Sequence, residues 1–172
     1  MKYKPITILR TLVFILVTCF ISLSIQTYRT HELDAPIHNS KLALTSITAS
    51  DLNHDQKLLM STLVYYAISN ISDGRWLEVS DFNRGWQIQK INVDGNIRYL
   101  VWPDKNIQAE SKHIEPNWFE INGDTVSYHS FIIHSQGFDL THTVAMSAII
   151  NAVNQPKSIH RINSMLPNLV IV

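Results

Sequence analysis

A chain of 172 residues, 45% of them apolar, has material for one folded domain plus a short targeting segment, and it is too apolar for wholesale disorder. Fourteen Lys and Arg balance fourteen Asp and Glu, but Lys2, Lys4 and Arg10 stand in the first ten residues, so the remainder is acidic by about three charges. Without clustered basic residues to pair with phosphates, direct nucleic-acid binding is not expected. The one cysteine, Cys19, lies in an apolar run, which leaves the body no intrachain disulfide and no thiolate zinc site.

Residues Ile6 to Ile25, ITILRTLVFILVTCFISLSI, form an apolar run broken by a single charge. As a helix such a run spans about 30 Å, the thickness of a bilayer's hydrocarbon core. Arg10 lies one turn in, where its side chain can reach the headgroups. The basic residues precede or open the run, so the positive-inside bias puts the N-terminus in the cytoplasm and the body outside. An uncleaved anchor is the expected fate. A cleaved signal peptide, with Ser22 and Ser24 as a small-x-small site, and lipidation at Cys19 are the alternatives, and all three place the body in the same compartment. Residues 26–50 are mostly polar and unpatterned and read as a tether, leaving residues 51–172 as the domain.

A helix is expected from about 53 to 69. Asn53 would cap it with Gln56 reaching back, Leu59, Leu63 and Tyr66 share one face, and Asn70 to Gly74 (NISDG) stops it. Trp86 to Val93 and Asn96 to Trp102 then flank Asp94-Gly95, a hairpin signal, because a type I′ turn needs positive φ at both central residues. Trp118 to Ile121 and Thr125 to Ile133 form a second hairpin around Asn122-Gly123-Asp124. From about Thr141 to Asn154 a second helix is expected, with Val144, Ala148, Ile149 and Ala152 on its apolar side and Pro156 as its breaker. Ile159 to Ile162 reads as a short strand and Leu169 to Val172 as a final one. The order predicts an α+β fold: an N-terminal transmembrane helix, then a small antiparallel sheet of four to six strands with two helices packed on one face.

The succession NWFEINGDTVSYHSFII (117–133), FDLTHTVAMSAIINAVNQ (138–155) and SIHRINSMLPNLVIV (158–172) resembles the ToxS-like proteins. These are small periplasmic partners of membrane-bound transcription regulators in Gram-negative bacteria, and they share the layout of basic tail, anchor helix and outer domain. The likeness covers the last third of the chain and rests on packing signatures. It implies an inner-membrane, single-pass protein whose periplasmic domain binds and stabilises a ToxR-like regulator. It carries over no catalytic residue and no cofactor.

Histidine is the one unusual density. Of eight, His129, His134 and His142 fall within fourteen residues. They are the candidates for a histidine-based metal-binding or hydrolytic envelope domain, the competing reading, although no metal signature matches their spacing. No G-x-S-x-G is present, and carboxylates at Asp73, Glu78 and Asp81 stand near turns, where acids usually cap or solvate. Trp76, Trp86, Trp102 and Trp118 are candidates for a partner or ligand groove, against the bulk role of aromatics as core. Full-length protein is expected to stay with membranes through high-salt and carbonate washing. A soluble product beginning near Ile25 or Gln26 would show a cleaved signal instead.

Overall fold

The computed structural model describes residues 44–113, 116–132 and 138–172. Residues 6–25, the expected anchor, and most of the expected tether lie outside these. Among the described residues no helix is long and apolar enough to cross a membrane.

Among the described residues six strands form one sheet. β1 (Trp86–Val93), β2 (Asn96–Trp102), β3 (Asn117–Asn122), β4 (Thr125–Ile132) and β5 (Phe138–Ala145) follow one another as an antiparallel meander. The expected hairpin joins β1 to β2, with Asp94 and Gly95 at φ of 51° and 89° as a type I′ turn demands. Gly123 (φ 62°) makes the tight turn between β3 and β4. β6 (Leu169–Ile171) lies parallel to β1, pairing Trp86 with Leu169 and Ile88 with Ile171, so the sheet order is β5-β4-β3-β2-β1-β6. The sheet is therefore mixed, where antiparallel pairing throughout was expected. The chain leaves β5 at one edge, crosses one face as helices, and returns at the far edge in β1's direction.

Among the described residues five α-helices accompany the sheet, not two: α1 (Ala49–His54), α2 (Gln56–Asn70), α3 (Gly74–Leu77), α4 (Met146–Val153) and α5 (Pro156–Met165). The expected cap at Asn53 is displaced. Asn53 lies inside α1, which Thr48 and Asp51 open as a reciprocal capping box, and α2 is capped by Asp55, whose carboxylate accepts Leu58 N–H at 2.9 Å. Hydrogen bonds from Thr48 hold the Asp51 carboxyl below its ordinary range.

The expected helix over 141–154 is strand as far as Ala145. Thr141, Thr143 and Val144 are β-branched, and all pair with β4. The helix opens at Met146, whose N–H donates to Asp124 O at 2.7 Å. Val144 thus belongs to β5, and Ala148 and Ala152 are exposed, while Ile149 and Val153 are buried. Pro156 does not close a helix but begins α5, because a proline at the first helical position removes only an N–H that would be unpaired anyway. The expected strand Ile159 to Ile162 is part of α5, which buries Ile159, Ile162 and Met165 at three-residue spacing.

The core lies between the sheet and α2. Trp86, Ile88, Val101, Phe119, Val126 and Tyr128 line one sheet face, and Leu58, Met60, Leu63, Val64 and Ala67 meet them from the helix. Tyr128 donates to Leu63 O at 3.2 Å and stacks on Tyr66 at 5.9 Å. On its far side α2 meets α4 and α5, with Tyr65 donating to Ser158 Oγ at 3.3 Å. Ser61 and Thr62 are buried too, so α2 is enclosed almost all round rather than on one stripe. Ahead of α1, in the stretch read as tether, Ile47 is buried. Asn154 grips its backbone twice, accepting Ile47 N–H at 2.8 Å and donating to Ile47 O at 2.8 Å.

Truncating a fully buried leucine costs about 2–5 kcal/mol against about 5–15 kcal/mol for a whole domain. Leu63→Ala is expected to leave the domain largely unfolded or protease-sensitive at physiological temperature. Lys57→Ala, on an exposed position of the same helix, should change little. Equal tolerance of the two changes in a thermal-melting and proteolysis series would refute the packing of α2.

Candidate functional site

β5 pairs with β4 along its whole length and, among the described residues, with nothing on its other side. An outermost strand of eight residues offers a row of unpaired N–H and C=O groups, which is a template for another strand. Natural edges are commonly blunted by lysine, proline or a bulge. The sequence FDLTHTVA has none of the first two, and its register against β4 runs unbroken from Phe138 to Ala145. Leu140, Thr141, His142 and Thr143 are exposed along it.

A pocket of about 190 Å³ sits against this edge. Leu140, Thr141 and His142 form one wall, and the junction between α2 and α3 forms the other, from Asn70 to Asp73. That junction is fixed by Asp73, which caps α3. Its Oδ1 accepts the N–H groups of Arg75 and Trp76 at 3.0 and 3.2 Å, and its Oδ2 accepts Ser130 Oγ at 2.7 Å. The last of these bonds ties the cap to β4 and carries the carboxylate to the sheet edge.

A second, more apolar cleft of about 270 Å³ opens where β2 ends and β3 begins. Val79, Trp102, Pro103, Ile107 and Pro116 contribute to its walls, with Asn117 in its lining. The connection between β2 and β3 is held down by Lys112, whose ammonium lies 2.6 Å from Gln87 Oε1 and 3.0 Å from Gln89 Oε1, and 5.1 Å above the Trp102 ring. Gln87 also donates to Ile107 O at 3.3 Å.

The four tryptophans do not share a groove. Trp76 and Trp86 are core residues. Trp76 meets Tyr128 edge-on at 5.5 Å, and the buried Trp86 indole donates to Val79 O at 2.7 Å. Trp102 and Trp118 project from the opposite sheet face. There Trp118 stacks on His129 at 3.7 Å, with the Arg98 guanidinium 4.1 Å from its ring. His129 also contacts Thr141 Oγ1 at 3.1 Å and lies 3.9 Å from Glu120.

His129 pairs with Thr141 and Tyr128 with His142, so His129 and His142 leave their strands on opposite faces. His134 lies outside the described residues. Among the described residues no group of three His, Cys, Asp or Glu could hold a metal ion. The acids near turns behave as such acids usually do. Asp73 caps α3, Asp81 accepts Asn83 N–H at 3.0 Å, and Glu78 pairs with Arg75 at 2.7 Å.

The sequence signals for this site lay in plain residues. The β-branched Thr141, Thr143 and Val144 mark a strand, and Asp73 two places before Arg75 marks the cap. Neither pattern says that the two meet. Comparison with known proteins finds no matching family model, no similar curated protein and no similar solved structure.

Lys112→Met keeps the apolar stem over Trp102 but removes the ammonium between Gln87 and Gln89. Hydrogen exchange over residues 103–113 is expected to quicken by about tenfold while the unfolding midpoint barely moves, because the latch closes a local opening and not the core. Unchanged exchange would show that the connection is held by other contacts.

Proposed function

We propose that this chain is a membrane-anchored periplasmic accessory protein, a non-enzymatic module that binds and stabilises a ToxR-like membrane-bound transcription regulator. The observation that carries the reading is the edge of β5, which among the described residues is unpaired and carries neither lysine nor proline. A protein whose business is to hold another chain needs a surface that supplies affinity without chemistry. An exposed strand supplies it through main-chain hydrogen bonds, with side-chain pockets adding selectivity. The ToxS-like succession of residues 117–172 includes this strand, and the N-terminal apolar run is suited to keep such a module beside a membrane-bound partner.

The test is co-expression of the full-length chain with a ToxR-like regulator from the same cell, followed by affinity capture and by the regulator's half-life. Wild type is expected to retain the regulator and prolong its life. The double substitution Thr141→Lys, Thr143→Lys places two charges on the exposed edge and should lower retention about tenfold, a loss of about 1.4 kcal/mol. Undiminished retention by the double variant, with a native melting curve, would remove β5 from the interface. Failure of the wild type to retain or protect the regulator would remove the function.

A further inference from the structure

The pocket beside β5 carries the reading further, because it says what an added strand must present. In a strand successive side chains alternate between faces, so a segment laid along β5 sends every second side chain toward the helix-bearing face. Leu140 and His142 project to that face, opposite to Thr141 and Thr143, and with the α2–α3 junction they frame the pocket. One residue of the incoming segment therefore stands over it.

The chemistry of that residue follows from the walls. Ile71 and Leu140 are apolar and suit a methylene stem, whereas Asn70, Ser72 and Asp73 are polar. Asp73 brings a carboxylate to the pocket. All its hydrogen bonds come from neutral donors, two backbone N–H groups and the Ser130 hydroxyl. The nearest guanidinium in sequence, that of Arg75, is turned to Glu78 at 2.7 Å. Among the described residues no Lys or Arg side chain forms an ion pair with Asp73. A half-buried carboxylate solvated only by neutral dipoles attracts a cation, and a long basic side chain can lay its stem on an apolar wall while its head reaches the charge.

We infer that the pocket lined by Asp73, Asn70, Ile71 and Leu140 accepts a lysine or arginine side chain from an extended partner segment that adds to β5. This rests on the strand-addition reading above and gives it a sequence requirement: a β-strand with a basic residue flanked by uncharged ones. The partner is a polypeptide, and its charge is complementary to the acidic balance of this chain beyond its first ten residues.

The probe is a set of short fluorescent peptides of alternating Thr and Val, with Lys, Gln or Glu at the centre, titrated by anisotropy against the full-length protein in detergent micelles. The Lys peptide is expected to bind about tenfold more tightly than the Gln peptide, and the Glu peptide more weakly than either. Two further copies of the Lys peptide carry backbone N-methyl groups, one at odd and one at even positions. Only one set of amides faces β5, so one copy should lose binding and the other keep it.

Asp73→Asn retains a capping oxygen and should erase the difference between Lys and Gln while leaving the Gln peptide's affinity unchanged. Should that variant fold poorly, Ser72→Lys places a resident ammonium at the exposed rim and should weaken the Lys peptide selectively. Equal binding of Lys and Gln peptides by wild type, with one N-methylated copy still excluded, would overturn the basic-side-chain assignment and leave strand addition standing. A Lys preference that survives both Asp73→Asn and Ser72→Lys would overturn the pocket as its source. If no peptide binds, both this inference and the use of β5 fall together.

Discussion

Everything in this domain depends on enclosing α2. A helix whose Leu58, Met60, Leu63, Val64 and Ala67 are all buried, together with Ser61 and Thr62, cannot rest on a sheet and show its other side to water. The sheet supplies one cover through Phe119, Val126 and Tyr128, while α4 and α5 supply the other. That demand explains the topology. After β5 the chain has to cross over α2 before it ends, and the crossing delivers it to the far edge of the sheet, where β6 can pair with β1 only in parallel. The mixed sheet is thus a consequence of the helix and not an independent choice.

The same packing polarises the sheet. One face is committed to the core, so function has the other face, the two edges and the rims. The open face is stitched by polar and stacked contacts: Ser127 with Thr143 at 2.9 Å, His129 on Trp118, and Lys112 over Trp102. The edge at β6 is three residues long, and its register is extended by Val172, which exchanges hydrogen bonds with Ile88 and Lys90. The edge at β5 is eight residues long and runs past a pocket with a carboxylate in it. Length and chemistry both make β5 the better suited of the two edges to the proposed strand addition.

The hairpins were legible because their signals are local. Asp94-Gly95 needs only its own positive φ values, and alternation in the flanking strands does the rest. The same holds for the termination of α2 at Asn70. What the sequence hid was decided by distance. Met146 to Val153 is helical, and the preceding residues share enough of its apolar spacing to extend the pattern falsely; only the pairing of Thr141 to Ala145 with β4 rules them strand. Ile159 and Ile162 read as strand because both are β-branched, yet their spacing with Met165 is that of a helix face. For the candidate site the tryptophans and histidines drew attention by rarity, and their places in the fold divide them between core and open face. Asp73 and Leu140, 67 positions apart, acquire meaning only when the fold sets them on facing walls of one pocket.

The grip of Asn154 on Ile47 bears on how the domain responds to mechanical load. Among the described residues a pull from upstream meets Leu44, packed on the core with its C=O accepting from Asn163 Nδ2 at 3.5 Å, and then Ile47, where one amide side chain, 107 residues away in sequence, holds both the N–H and the C=O. Because the two bonds share a single side chain they resist together, so yielding is abrupt and not gradual. Once they part, the buried Ile47 side chain and then the Thr48–Asp51 box are next to bear tension, before strain reaches α2. The domain thus has a sacrificial link at Ile47, and its breaking strength is set by a residue at the end of α4.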